Sequence, residues 1–141
     1  MLFRSPLHVH SIDLPDDAEH GEHPRSDRGY MVKGLRDVTL YQADGLVQAI
    51  ELYQNNPGYK TLVFIDGDHG YESVLRELQG VIKSMPNANV LLHDTFFQSA
   101  LAGYNVGPFN AIQDVLAASP GKYRVMSTNT GLPGMTLLYQ L

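Results

Sequence analysis

The chain contains no cysteine. That excludes a disulfide framework and thiolate chemistry, and it fits a reducing cytoplasm. It also has no cluster of lysine or arginine: 10 basic residues against 15 acidic ones leave a formal net charge of −5. A nucleic-acid backbone calls for a basic face, so nucleic acid is not an expected partner. No apolar run is long enough to span a bilayer, so a membrane is not expected either. The opening "MLFRSPLHVH" has one arginine and a proline, with histidines interrupting its apolar residues. It lacks the sustained apolar core and small-residue cleavage site of a signal peptide. Internal repeats and low-complexity tracts are also absent.

What is present is ordinary globular composition: 141 residues, 43% hydrophobic and 18% charged, enough for one domain with a core spanning 1–141. "LHVHSIDL" (Leu7 to Leu14) alternates loosely and reads as a strand. "PDDAEHGEHPRSDRG" reads as a polar, mobile loop. "VTLYQAD" (Val38 to Asp44) is β-branched and aromatic, hence a strand. Leu46, Val47, Ile50 and Tyr53 then recur at helical spacing until "NNPG" stops them. "TLVFI" (Thr61 to Ile65) is the short continuous apolar run of a strand buried on both faces. From Tyr71, apolar residues at Val74, Leu75, Leu78, Val81 and Ile82 mark an amphipathic helix. "NVLL" (Asn89 to Leu92) is another buried strand, stopping at His93 and Asp94. Phe109, Ile112, Val115 and Leu116 give a further helix, begun through Pro108. "YRVMST" and "MTLLYQL", separated by "NTGLPG", suit an antiparallel hairpin.

The order β, β, α, β, α, β, α, β, β predicts an α/β fold, an open and mostly parallel sheet with helices on its faces and an antiparallel C-terminal hairpin. Ligands of such sheets sit outside the carboxyl ends of the strands. Four early strands end in polar residues there: Asp13, Asp44, Asp66 and Asp94.

Asp66 and Asp94 close consecutive strands joined by one helix. Crossover geometry sets those strands close together, so the two carboxylates can converge. Two like charges at close range need a proton or a cation, and Mg²⁺ with oxygen ligands is a natural solution. Each Asp could instead merely cap the next helix. His69 stands three residues after Asp66, where an imidazole can accept a proton from a substrate hydroxyl; a solvated turn histidine is the plain alternative. Asp68 could orient His69, bind substrate or face water. Asp13 and Asp44 could meet ribose and adenine groups of a nucleotide, or could simply face the loops. His8, His10, His20 and His23 match no zinc spacing. "NVGPFNAI" lacks the Gly-Lys-Ser/Thr ending of a phosphate loop, and no serine lies in a Gly-x-Ser-x-Gly setting.

"LVFIDGDHGYESVLRELQGVI" followed by "NVLLHDT" resembles the second half of a class I S-adenosylmethionine (SAM)-dependent methyltransferase. It is closest to the group of macrocin-type O-methyltransferases and cephalosporin-hydroxylase-like proteins. "VGPFNAIQDVL" and "GLPGMTLL" resemble that group's later helix and closing hairpin. The resemblance implies a Rossmann-like fold and methyl transfer from SAM to a small-molecule hydroxyl, with Mg²⁺ assistance. Carried over by position, Asp66 and Asp94 match metal ligands, and His93 stands where the family has a carboxylate ligand. Asp66 is also expected at the cofactor. His69 matches the general base, Asp13 the ribose-holding acid and Asp44 the adenine contact.

The family's first strand, glycine-rich turn and first helix should precede Leu7, where only "MLFRSP" stands. The fold is therefore expected to lack its usual first strand and helix. Either the second and fourth strands pair directly, a partner chain fills the gap in a homo-oligomer, or the sequence is a fragment. Two other functional readings follow from the same residues. One is a non-catalytic, methyltransferase-like module acting in oligomerisation or binding. The other is a metal-dependent hydrolase or hydroxylase.

Overall fold

A computed structural model of the chain describes residues 8–15, 17–19, 24–97, 99, 101, 105–128 and 131–140. His20, His23 and the segment "MLFRSP" lie outside the described residues. Contacts divide the chain into two compact units, Met1–Leu52 and Tyr53–Leu141, each taken by itself below.

In the first unit, β1 (Val9–Asp13) and β2 (Val38–Gln42) pair in parallel, from Val9 opposite Val38 to Asp13 opposite Gln42. Successive side chains on a strand alternate between faces, so His8 and His10 share one. Their rings lie 4.7 Å apart, and each meets a hydroxyl of the neighbouring strand: His8 Nε2 lies 2.8 Å from Thr39 Oγ1, and His10 Nδ1 3.2 Å from Tyr41 Oη. The polar loop after β1 is tied down in its described part, contrary to the mobile loop its composition predicts. Arg28, only 8% exposed, donates to the carbonyls of Pro15 and Ala18, each at 2.5 Å. A buried guanidinium needs such acceptors to offset its lost hydration. Gly29 follows with φ 68°, and a Cβ there would lie 2.0 Å from Leu40 Cδ2. Only glycine serves at that position. Helix α1 (Gly45–Asn55) begins after β2, and the boundary between the units falls inside it.

The second unit contains β3 (Leu62–Ile65), α2 (Tyr71–Ser84), β4 (Asn89–His93), α3 (Val106–Ala118), β5 (Arg124–Ser127) and β6 (Met135–Tyr139). Its strand order is β3-β4-β6-β5. β3 and β4 are parallel, and β6 runs antiparallel to both β4 and β5. Three strands therefore point one way and only β6 is reversed. The expected fold class, a mostly parallel α/β sheet closed by an antiparallel hairpin, is the one observed. The last strand lies inside the sheet, and β5 takes the edge. No helix of the described residues is long and apolar enough to cross a membrane.

One face of this sheet carries the core. Ile65, Val90, Leu92, Thr136 and Leu138 are buried on it, together with Val74, Leu78 and Val81 of α2 and Ala111, Ile112 and Val115 of α3. Leu78, Leu92 and Leu138 have no exposed surface, and burial of each contributes about 1.5–3 kcal/mol. On the other face, Leu62, Phe64 and Met126 are 58%, 52% and 62% exposed. β3 is thus not the strand buried on both faces that its apolar run predicts. Both helices of this unit cover the same face, and an unbroken apolar run carries no record of which faces are covered. Helix α3 begins at Val106, two residues earlier than its Pro108 signal suggests.

Candidate active site

The site forms where β3 and β4 end. Their parallel register sets Ile65 opposite Leu92, so the next residues, Asp66 and His93, fall side by side. Asp94 then leaves the strand with φ 55°, the only non-glycine positive φ among the described residues. Asp tolerates this left-handed conformation better than most residues, but it still costs energy. The turn places Asp94 inward at 4% exposure.

The side chains converge there. Asp94 Oδ2 lies 2.6 Å from His69 Nε2 and 3.1 Å from His93 Nδ1, while Asp66 Oδ1 lies 3.0 Å from the same His93 Nδ1. The order in space is Asp66, His93, Asp94, His69. Asp94 is nearly closed off from solvent, Asp66 is open to it, and the imidazoles lie between these extremes. Asp66, His69 and His93 line a recess with Ile65, Leu92 and Pro108 that holds about 10 Å³, room for one ion or one water.

His69 reaches Asp94 because its turn is built from both sides. Asp68 accepts from Gly70 N at 2.9 Å and from Ser73 Oγ at 2.5 Å. It thereby satisfies a backbone donor at the start of α2 and fixes the turn before it. Asp68 is thus the bracket of His69's turn. From the other side, Gly107 of α3 packs on the turn's backbone: a Cβ there would lie 2.2 Å from the His69 carbonyl oxygen. The same helix is held by Tyr71, whose hydroxyl donates to Asp114 Oδ2 at 2.6 Å. That hydrogen bond, first among several causes, pushes the Tyr71 phenol above its ordinary range.

The structure thus brings together four of the residues singled out by sequence: Asp66, His69, His93 and Asp94. Asp13 and Asp44 belong to the first unit, at the carboxyl ends of β1 and β2. Asp13 accepts from Leu14 N at 2.8 Å and Gly29 N at 3.0 Å. Asp44 caps α1 by accepting from Val47 N at 3.0 Å, a role weighed in the sequence for Asp66 and Asp94 but not for Asp44.

Several polar residues carried no sequence signal. Thr136 Oγ1 donates to Thr95 Oγ1 at 2.8 Å and contacts Ser127 Oγ at 2.9 Å. Asn105 is 3% exposed, and its amide nitrogen donates to the carbonyls of Phe96 (3.1 Å) and Pro133 (3.0 Å), joining the loop after β4 to the hairpin. Its one legible cue was the cap position just before α3. Scattered hydroxyls and amides have no spacing that a motif can record.

A divalent cation fits the donors present. One atom each from Asp66, His93 and Asp94 lie within 4.8 Å of one another. His93 Nδ1 is buried and has no hydrogen bond of good geometry among the described residues, despite two carboxylate oxygens close by. Two carboxylates and one imidazole suit a hard or borderline divalent ion.

No protein-family profile matches the chain, and no curated protein sequence does. Solved structures share its fold, and that fold defines its class as Rossmann-like α/β. One is the SAH-bound methyltransferase PaMTH1 of Podospora anserina, 10% identical, aligned over 98% of this chain and 62% of its own with a TM-score of 0.60. Another is a Clostridium thermocellum protein assigned as an rRNA-methylase, 14% identical over 95% of this chain and 75% of its own, with a TM-score of 0.54. The chain thus spans 62% of the length of the first. At such identities the likeness is one of fold.

Proposed function

We propose that the chain is a SAM-dependent methyltransferase that methylates a hydroxyl of a small-molecule acceptor with divalent-metal assistance, in the manner of the macrocin-type group it resembles. The observation that carries this reading is the single carboxylate oxygen of Asp94 lying 2.6 Å from His69 and 3.1 Å from His93, beside Asp66. This cluster sits at the strand ends of a fold shared with methyltransferases.

His69 accepts the proton of the acceptor hydroxyl. Asp94 holds the imidazole in place and stabilises its protonated form. Asp66, Asp94 and His93 are the residues that would hold Mg²⁺, which when bound polarises the acceptor oxygen as a Lewis acid. SAM supplies the methyl group on a sulfonium: the oxygen–carbon bond forms as the sulfur–carbon bond breaks, leaving neutral SAH. Aligning the two reactants is the rest of the catalysis. The same resemblance assigns Asp13 to the ribose and Asp44 to the adenine of SAM, and Asp66 to the cofactor as well. Asp13 already binds backbone amides but keeps a second lone pair on each oxygen.

The Clostridium neighbour is assigned to rRNA, but the net charge of −5 here favours a small acceptor over nucleic acid. A cytoplasmic location and a homo-oligomeric state belong to the same reading. Calorimetric titration of the 141-residue chain with SAM and SAH, with and without Mg²⁺, tests it. Saturable binding is expected. No binding under any condition would overturn it in favour of a non-catalytic module.

A further inference from the structure

A second cavity in the same unit, about 370 Å³, shares no described lining residue with the Asp66–His69–His93 recess. Its volume falls within the range of small-molecule sites, roughly 300–1,000 Å³. Helix α3 forms one wall through Phe109, Ile112 and Gln113, and strands β5 and β6 form the floor through Val125, Ser127 and Thr136. Thr95, Phe96 and Phe97, just after β4, complete the described lining.

The lining has a distinctive chemistry. None of its described lining residues carries a charge, so a charged ligand would lose its hydration with no ionic partner among them. Phe97 and Phe109 stack with ring centroids 4.6 Å apart at 29°. Both rings line the cavity, and a further aromatic ring extends such a pair by offset or edge-to-face packing. At the floor, three hydroxyls form a chain. Thr136, 4% exposed, gives its single proton to Thr95. Ser127 must then supply the proton in its own 2.9 Å contact with Thr136. The proton of Thr95, at the end of the chain, is left to donate outward. Thr136 lies on the core face beside Leu138 and opposite Leu92, where an apolar residue would pack at no polar cost. Its hydroxyl there orients Thr95 and Ser127 at the cavity.

The geometry points to a binding site for a neutral, planar aromatic molecule whose ring packs against the Phe97–Phe109 pair and whose single oxygen substituent accepts from Thr95. This assignment does not rest on methyl transfer and is testable in the absence of SAM. The probe is 2-naphthol, added to the full chain and followed by its fluorescence and by the methyl NMR signals of Ile112 and Val125. Saturable binding that moves both methyl groups is expected. 2-Naphthoate, the same ring with a charge, should bind about tenfold more weakly. Phe97→Ala, in a partly exposed loop, should weaken 2-naphthol about fivefold by removing the stack. Thr136→Val, which keeps the shape of the core, should do the same by breaking the hydroxyl chain, to about a fivefold extent. Failure to saturate, shifts confined to residues away from the cavity, or wild-type affinity in a folded Phe97→Ala variant would each overturn the assignment. The Phe97 variant decides the matter if Thr136→Val does not fold.

Discussion

Asp94 Oδ2 lies 2.6 Å from His69 Nε2 and 3.1 Å from His93 Nδ1, so one carboxylate oxygen faces two imidazoles that reach it from different segments. His69 comes from the turn before α2, and His93 from the last position of β4. In the proposed reaction, the position of Asp94 would couple proton acceptance at His69 to whatever occupies the Asp66–His93 side.

The metal assignment predicts that Mg²⁺ or Mn²⁺ raises the melting temperature of the wild-type chain. A ligand present at a hundredfold excess over its dissociation constant stabilises by about 2.7 kcal/mol. Asp66→Asn should abolish that shift. The metal-free melting temperature should hardly change, because the Asp66 side chain is 44% exposed. Thermal melts with and without the ion check this, and a shift that survives the substitution means that Asp66 is not a ligand.

The left-handed backbone at Asp94, with φ 55°, predicts an unusual ordering of two variants. Asp94→Ala and Asp94→Gly both remove the carboxylate, but only alanine keeps a Cβ in the disfavoured region. The glycine variant should be the more stable by about 1 kcal/mol net of its looser unfolded chain. Urea denaturation of the pair measures the difference. Equal stability would show that the turn relaxes once the carboxylate is gone.

The approach of Gly107 to the His69 carbonyl, where a Cβ would lie at 2.2 Å, predicts a double effect of Gly107→Ala. Overpacking against backbone should destabilise the chain by about 1–3 kcal/mol. It should also move the NMR signals of the His69 ring, since α3 can no longer press on that turn. A stable variant with unmoved His69 signals would contradict the packing described.

The histidine pair on β1 predicts a pH effect of definite sign. Desolvation first, and the neighbouring His8 second, lower the pKa of His10 from its ordinary 6.5. A base that is harder to protonate in the folded state contributes its full stability above its unfolded pKa and loses it as the pH falls through that value toward the folded one. Stability should thus decline as the solution is acidified below 6.5. In an NMR titration, His8→Asn should raise the His10 midpoint only part of the way back, because desolvation is the larger cause. Full recovery would reverse that ranking.

Much of the fold was legible in the residues. Every strand and helix longer than one turn was read at or near its place, because period-two and helical apolar spacing record which residues face a core. The convergence of Asp66 and Asp94 was legible too: a single crossover helix makes its two strands neighbours, and β3 and β4 do pair. Asp68 was present in the sequence but undecided among roles, since a carboxylate three residues before a helix can orient His69, bind substrate or face water equally well. The exposure of Leu62 and Phe64 was read wrongly, because apolar content is a property of one strand and coverage a property of its neighbours.

By itself, then, the sequence determined the order of elements, the direction of β3 and β4, and the presence of two acids and two imidazoles at their ends. All of that follows from local periodicity and short-range connectivity. Tertiary structure alone decided that β6 enters the sheet beside β4, that Asp94 turns inward to meet both histidines, and that Thr95, Thr136 and Ser127 join into one hydroxyl chain. Most of those contacts link residues distant along the chain, such as His69 with Asp94 and Thr95 with Thr136, so their energies depend on packing and register that no local pattern encodes.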